Sequence, residues 1–479
     1  MSVTSKSAIL IGNEQIQPLE PVSISIRNPA GGQLLCTLTG GGKADAVRAI
    51  EHASRSMPSW ASQSVSIRGR TLHEIANTLR EQNNLSDLST LISTETGKRI
   101  SEAEAEVNLS AAFFDWFGDV IATRKNETWQ IVSGIRHEVY HQPIGIVGVI
   151  TPWNFPVSIP ARKIAAAIAA GCSIVFKPSE VAPSASIRFA ELISSHLPPE
   201  VICTLIGNPP EIAQTLVDDP RIKAITFTGS TKVGQILAQE AATSMKRLIL
   251  ELGGSAPYIV LDDADIDQAV TTLMIAKYRN NGQSCIAANH AWIPKKFYDK
   301  FVDNFLEKTQ DLVIGDPLDP STTLGPLAMA SDPQRISKLL SSAEETGTTV
   351  IRTHPGTLPD GNFVSPAVCL SPPTDSQIVQ QEIFGPALSI IPYEAIDEIA
   401  EALQKIQYGL SGYISTNNFK RARDVAISLD IGIFGVNTAT PNTPQIPFSG
   451  RKLSGIGYEG GQLGLNEFMK YQSIAYADN

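Results

Sequence analysis

The stretch Gly145-Ile-Val-Gly-Val-Ile-Thr-Pro-Trp-Asn-Phe-Pro156 decides how this chain is read. Its first six residues are a short β-branched run, and two prolines then bracket Trp153 and Asn154. The prolines set the loop backbone and leave the Asn154 amide presented, either as a simple turn former or as a donor aimed at a developing oxyanion. Working outward, β-branched runs recur at 173–176 and 223–228, and helical periodicity fills 159–170, 184–196 and 232–242. That alternation predicts β-α-β units around a parallel sheet. A second αβ series over 257–437 predicts a second α/β domain. Residues 44–124 read as helices, with apolar recurrences in 46–60, 68–79 and 105–120. Segment 128–141 alternates like an exposed antiparallel hairpin, and 471–476 has the same character. Projecting strands are safe from aggregation when paired, so these are expected to meet a partner subunit.

The chain of 479 residues is 42% hydrophobic and 18% charged, with mean hydropathy near zero, the profile of a folded globular protein of two or more domains. A formal net charge of -10 argues against nucleic acid or an anionic membrane as the main partner and for a small molecule. Met1-Ser-Val-Thr-Ser-Lys6 lacks the apolar core of a signal peptide, and no run approaches a membrane span. Five scattered cysteines without a C-x-x-C pair fit a reducing compartment, so a cytoplasmic enzyme is expected. The seven histidines show no metal-ligand spacing, and no metal site is expected.

Cys285 stands apart from the other cysteines. Cys36, Cys172, Cys203 and Cys369 sit in or beside apolar runs and read as small hydrophobes. Cys285 follows Gly282-Gln-Ser, a polar and permissive approach that suits a thiol presented for chemistry. Glu251 lies in Leu248-Ile-Leu-Glu-Leu-Gly-Gly254, where an unpaired carboxylate is costly. Apolar surroundings raise a carboxylate's pKa and suit it to general-base work, although a Glu satisfied by backbone amides would look the same. Phe227-Thr-Gly-Ser-Thr-Lys-Val-Gly234 ends a strand and opens a helix, so Gly229, Ser230 and Gly234 form a candidate anion site or a plain helix cap. In Phe176-Lys-Pro-Ser-Glu180, Lys177 offers a cation and Glu180 a carboxylate suited to ribose hydroxyls, at the sheet edge where α/β ligands bind.

These segments, with Gly282-Gln-Ser-Cys285 and Glu382-Ile-Phe-Gly-Pro386, occur in one order. The chain resembles the NAD(P)-dependent aldehyde dehydrogenase superfamily, from about Asn28 to the carboxyl terminus. The resemblance implies an α/β fold in three parts: a Rossmann-like cofactor domain over 1–124 and 144–250, an α/β catalytic domain over 251–437, and a small β oligomerisation element over 125–143 and 461–479. By the same resemblance Cys285 is the nucleophile, Glu251 the general base, and Asn154 with the Cys285 amide the oxyanion hole. Lys177 and Glu180 then contact the adenosine ribose, and Gly229 to Gly234 the pyrophosphate. Glu382 anchors the nicotinamide ribose, with Thr151, Trp153, Ser179, Ser230 and Phe384 in the same motifs. NAD is the implied cofactor with NADP as an alternative, and Glu180 favours NAD because a carboxylate repels a 2′-phosphate. Relatives that pass the acyl group to coenzyme A generally lack a base at Glu251, so hydrolysis of the thioester is expected. A homodimer or homotetramer is also implied.

In texture the chain is most similar to succinate-semialdehyde dehydrogenase-like members, through Phe113-Phe-Asp-Trp-Phe117, Ala161-Arg-Lys163, Tyr278-Arg-Asn280 and the segment 447–460. That likeness implies that Arg162 and Arg279 hold a distal carboxylate, with Phe117 lining the substrate tunnel. The bland alternatives are a solvated head for Arg162 and a structural bridge for Arg279. Two departures matter: Asn442 stands where a substrate-contacting serine is expected, and Ala287 where some relatives carry a second cysteine. A neutral or aromatic aldehyde is the alternative substrate. From other classes, a cysteine hydrolase would need a histidine beside the thiol, and an idle structural relative would have lost part of the set.

Overall fold

The computed structural model describes residues 6–477. The first five residues of the expected cofactor domain, which include most of the amino-terminal stretch, and the last two of the expected tail element lie outside the described residues.

The opening stretch supplies the middle strand of an eight-stranded sheet. Ile146–Ile150 is buried along its whole length and pairs in parallel with Ser173–Lys177 on one side and Ile222–Thr228 on the other. Ile202–Leu205 and Arg247–Glu251 extend the parallel core outward. In chain order these five strands stand 3-2-1-4-5, so the direction of winding reverses between Ile146–Ile150 and Ile222–Thr228. Ligands of doubly wound sheets bind outside the carboxyl ends of the strands at such a reversal. Thr151, Lys177, Gly229 and Glu251 all stand at those ends. Antiparallel strands complete the sheet: Ile9–Ile11 with Glu14–Gln15 at one edge and Gly455–Ile456 at the other.

The helices expected at 46–60, 68–79 and 105–120 fall within Lys43–Ala61, Val65–Arg80 and Ile100–Ala122. Gln82–Thr96 is a helix that periodicity did not reveal, because its mix of Ser, Thr and Asn blurs the apolar stripe. All thirteen residues of Ser158–Ala170 are buried, including Arg162 and Lys163. A helix enclosed on every side reads as apolar all round, and here the two cations are the exceptions that need partners. The solvated alternative for Arg162 is therefore wrong.

The second α/β unit is a seven-stranded sheet in the spatial order Thr349–Arg352, Ala367–Leu370, Ala387–Tyr393, Ala288–Pro294, Ala256–Val260, Ser411–Ser415, Ile433–Val436. All pairs but the first are parallel. Glu251 is the last residue of a cofactor-sheet strand, so the boundary between the units falls just after it.

Glu127–Val132, Ile135–Pro143 and Met469–Ala477 form a separate antiparallel sheet, in which the tail pairs along nine residues. The expected hairpin and tail thus meet. The tail's contribution starts at Met469 and not at 461, because the short helix Gly461–Asn466 packs against Ser158–Ala170. Trp129, Ile131 and Val132 stand exposed on the outer strand. Among the described residues no helix is long and apolar enough to cross a membrane.

Candidate active site

Cys285 sits on the wall of a cleft of ≈ 850 Å³, solvent at its mouth included, between the two sheets. The loop leading to it is unusually constrained. Asn280 and Asn281 both adopt left-handed backbone (φ 53° and 58°), followed by Gly282 at φ 77°, where a Cβ would come within 2.2 Å of Gly385 O. Consecutive non-glycine residues with positive φ persist only when the surroundings over-determine them. Here the Asn281 amide donates to Gly97 O (2.9 Å) and Pro326 O (3.0 Å) and accepts from Gly325 N (2.7 Å). Asn280 Nδ2 donates to Gln283 O and Asn154 O, both at 2.9 Å. Burial, then the carboxylates of Glu382 and Glu251, push the Cys285 thiol up to about 12, with Arg162 and Arg279 pulling the other way. At neutral pH the resting group is therefore a thiol, and a nucleophile requires a base.

Glu251 is the residue expected to serve as that base. It lines the same cleft, and neither carboxylate oxygen has a hydrogen-bond partner among the described residues. Burial, then repulsion from Glu459, raises its pKa well above the usual range, and Lys163 and Arg162 oppose the rise. Asn154 is buried, with Nδ2 donating to Gln283 O at 3.1 Å and Oδ1 unpartnered. One of its two amide hydrogens is spoken for, which leaves the other to donate.

The two arginines differ. Arg162 lies between the rings of Phe113 and Phe448, 5.1 and 4.4 Å from their centroids, and faces Glu459 at 3.6 Å. Lys163 Nζ binds the same Glu459 carboxylate and donates to Thr226 Oγ1 at 2.9 Å. Arg279 also lines the cleft and has no ion pair or side-chain hydrogen bond among the described residues. Asn442 lines the cleft, half-buried. Phe117 does not reach it. The helical period turns Phe113, Phe114 and Phe117 into the core, so Leu109, Phe155, Ile286 and Phe448 supply the apolar wall in their place.

The residues expected to meet the cofactor stand along the carboxyl edge. Lys177 and Glu180 pair with each other, Lys177 also reaching Pro178 O at 3.1 Å, and Ser179 Oγ accepts from Val181 N at 3.2 Å. Ser230 caps Thr231–Ala241, accepting from Val233 N at 3.4 Å. The Gly229 amide is engaged by Glu251 O (3.1 Å), so the free donors there are the first-turn amides of the helix. A Cβ on Gly229 would lie 2.4 Å from the Phe227 ring, and one on Gly234 2.4 Å from Leu252. Thr151 Oγ1 is buried without a partner. Trp153 and Phe384 meet edge to face at 5.7 Å. Arg335 grips Ile383 O (2.8 Å) and Phe384 O (3.1 Å), holding Phe384 at φ 49°. Glu382 accepts from Gly254 N (3.0 Å), and burial lifts its pKa to about 7. An orphaned hydroxyl and a helix amino terminus fit a dinucleotide laid along this edge, while the two glycines answer to packing against Phe227 and Leu252.

The aldehyde dehydrogenase family profile matches residues 18–474. The chain belongs to the aldehyde dehydrogenase family. It is an NAD(P)-dependent oxidoreductase acting on an aldehyde. Among its relatives is a probable succinate-semialdehyde dehydrogenase [NADP(+)] of Sinorhizobium fredii, 36% identical over 94% of this chain and 92% of its own. A glutarate-semialdehyde dehydrogenase of Pseudomonas putida is 33% identical over 94% of each chain. The crystal structure of succinate-semialdehyde dehydrogenase from Burkholderia pseudomallei superposes with a TM-score of 0.95 at 31% identity, covering 99% of this aldehyde dehydrogenase and 98% of that chain. Betaine aldehyde dehydrogenase from Staphylococcus aureus, solved with NAD+, superposes with a TM-score of 0.95 at 29% identity over 100% and 95% of the two chains.

Sequence reasoning missed several residues of the site. Glu459 sat in a quoted segment without a role, and Lys98, Glu102 and Glu106 went unremarked although all line the cleft. The one available signal was a charged residue within an apolar helical pattern, as for Glu106.

Proposed function

We propose that this enzyme oxidises an ω-oxo acid, succinic semialdehyde or a near homologue, to the dicarboxylic acid through a thioester on Cys285. The observation that carries the substrate class is the guanidinium of Arg279, which has no ion pair among the described residues while the other cations lining the cleft do: Lys98 is held by Glu106 and Arg162 by Glu459. A buried or half-buried cation without a counter-charge is costly, and a substrate carboxylate would supply the missing partner with two oxygens matched to the planar donors. Arg162 adds field and shape, but Glu459 already shares its charge. Relatives named for succinate and glutarate semialdehydes support the class without selecting the chain length.

In the proposed sequence Cys285 Sγ gives its proton to Glu251 and bonds to the aldehyde carbon, and Asn154 with the Cys285 amide holds the resulting oxyanion. Bound NAD(P) supplies the hydride acceptor. With the hydride gone the carbon is a thioester, and Glu251, its proton released, takes one from water so that hydroxide displaces the thiolate and frees the acid. Lys177 and Glu180 would hold the adenosine ribose, the head of Thr231–Ala241 the pyrophosphate, and Glu382 the nicotinamide ribose, with Thr151, Trp153 and Phe384 flanking the ring. Glu180 favours NAD. The exposed outer strand Glu127–Val132 supports assembly into a homodimer or homotetramer through the small sheet. Five unpaired cysteines support a reducing, cytoplasmic setting.

A screen of NADH formation with succinic semialdehyde, glutaric semialdehyde, butanal and benzaldehyde tests the reading. An ω-oxo acid should exceed its neutral counterpart in kcat/KM by at least about tenfold, the equivalent of one weak charge-assisted contact. Preference for butanal or benzaldehyde would remove the carboxylate reading and leave the family assignment standing.

A further inference from the structure

We infer that Lys98 is a positioning residue for the oxyanion amide, acting through the backbone of Asn154. The inference rests on the role proposed above for Asn154. Lys98 follows Gly97, which ends helix Gln82–Thr96 at φ 77°, with Pro326 O lying 2.4 Å from where a Cβ would stand. The lysine is fully enclosed yet lies along the cleft wall. Its ammonium is ion-paired with Glu106, donates to Asn154 O at 2.9 Å and sits 3.9 Å from the centroid of the Phe155 ring. Every one of these contacts is to the loop that carries the oxyanion amide or to the carboxylate that holds the end of that loop.

The grip on Asn154 is double. Its carbonyl accepts from Lys98 Nζ and from Asn280 Nδ2, each at 2.9 Å, while its own Nδ2 donates to Gln283 O at 3.1 Å. Asn280 donates to that same Gln283 oxygen, so the loop bearing Asn154 and the loop bearing Cys285 share one set of bonds. At the far side of the ion pair, Glu106 Oε1 accepts from Val157 N (2.9 Å) and Ser158 N (3.1 Å), where the helix carrying Arg162 begins. Two donors from different elements on one carbonyl fix the orientation of its peptide plane, and with it the direction in which the Asn154 side chain leaves the backbone. Without the ammonium only Asn280 remains, and the plane can turn about that single bond. Misplacing a catalytic donor by about 1 Å costs on the order of 100-fold in rate, comparable to deleting it.

The test is a double-mutant cycle between Lys98→Met and Asn154→Ala, read by kcat, by the deuterium isotope effect with aldehyde-labelled substrate, and by NAD affinity from fluorescence titration. Methionine keeps the length of the apolar stem and removes the ammonium. Lys98→Met should lower kcat about 10- to 100-fold, raise the isotope effect as hydride departure becomes limiting, and leave NAD affinity unchanged. In the Asn154→Ala background the same change should add less than about twofold, because residues acting as a unit are non-additive. If Lys98→Met alone does not fold, Lys98→Met/Glu106→Gln, which strands no buried carboxylate, takes its place in the cycle. An undiminished loss in the Asn154→Ala background, or a loss of NAD affinity in step with kcat, overturns the positioning role and marks Lys98 as structural. Wild-type turnover in Asn154→Ala alone overturns the oxyanion assignment itself.

Discussion

Removal of the Arg279 guanidinium separates substrate recognition from stability, because this cation holds nothing else together. No described residue is hydrogen-bonded or ion-paired to its side chain, so Arg279→Ala strands no buried partner, and because an enclosed cation without a counter-charge is itself costly the variant should be at least as stable as the wild type. One charge-assisted contact to a substrate carboxylate is worth about 1.5 to 3 kcal/mol, or roughly one to two powers of ten in kcat/KM. A smaller second effect runs through the thiol: Arg279 is one of two cations that lower the Cys285 pKa, so its loss slows every substrate somewhat. The quantity to measure is therefore the ratio of kcat/KM for succinic semialdehyde to that for butanal, by initial rates of NADH formation in wild type and variant. The ratio should fall by about tenfold or more, with the loss for the oxo acid mainly in KM. Arg162→Ala is the poorer probe, since it unbalances Glu459 and, through it, Glu251. Equal losses for both substrates would refute the clamp.

Cys285→Ala should abolish dehydrogenase turnover while NAD still binds, checked by steady-state rates and fluorescence titration; substantial remaining turnover would unseat the nucleophile. Glu251→Gln should give a burst of about one NADH per site followed by slow turnover, and an unchanged steady rate without a burst would return that residue to a structural role. NAD should be used more efficiently than NADP because of Glu180, with the gap narrowed in Glu180→Gln; comparable or better efficiency with NADP in the wild type would show the carboxylate does not select. Glu95 receives the amides of Ser184 (3.1 Å) and Ala185 (3.2 Å), and burial lifts its pKa from 4.5 to about 7. With the folded value above the unfolded one, its contribution is intact below about pH 4.5 and is lost as pH rises to about 7, a deficit of about 3 kcal/mol beyond that. Glu95→Gln should therefore gain melting temperature relative to wild type as pH rises through that window, and a pH-independent difference would refute the linkage.

The parallel core of the cofactor sheet was legible because each strand is a compact β-branched run stopped by a Pro- or Gly-containing loop, as in 145–156. The hairpin and tail were legible from alternation, but their pairing with each other was not: alternation pointed to a partner subunit, and nine residues of the tail pair with the hairpin of the same chain. The helix Gln82–Thr96 was not, since Ser, Thr and Asn hide its apolar stripe. Nor was the inward turn of Phe117: an aromatic cluster at helical spacing announces a packed face without saying whether that face meets a cleft or a core. Cys285, Glu251 and Asn154 stood out because each is a reactive type in a setting that local sequence explains. Lys98, Glu106 and Glu459 did not, because the sense of a buried charge lies in its partner, and these pairs span 8 and 296 positions of chain.

The same limit explains why the two arginines looked alike and are not. Arg162 and Arg279 each sit in a segment that resembles those of succinate-semialdehyde dehydrogenases, yet one is sandwiched by Phe113 and Phe448 with Glu459 at its head, and the other lines the cleft unpaired among the described residues. Burial and the carboxylates around the thiol then account for its resting state. Burial first, and then Glu382 and Glu251, raise the Cys285 pKa, and burial in turn raises the pKa of both carboxylates. Ionising the thiol beside an already ionised Glu251 is the costliest arrangement. In the proposed sequence, passing the proton from Cys285 to an ionised Glu251 leaves one negative charge between them and avoids that repulsion, which couples thiolate formation to protonation of the proposed base. The acyl group, once formed, removes the thiolate charge, and Glu251 can then lose its proton and act on water. Two groups that disfavour each other's ionisation are in this way able to serve in succession.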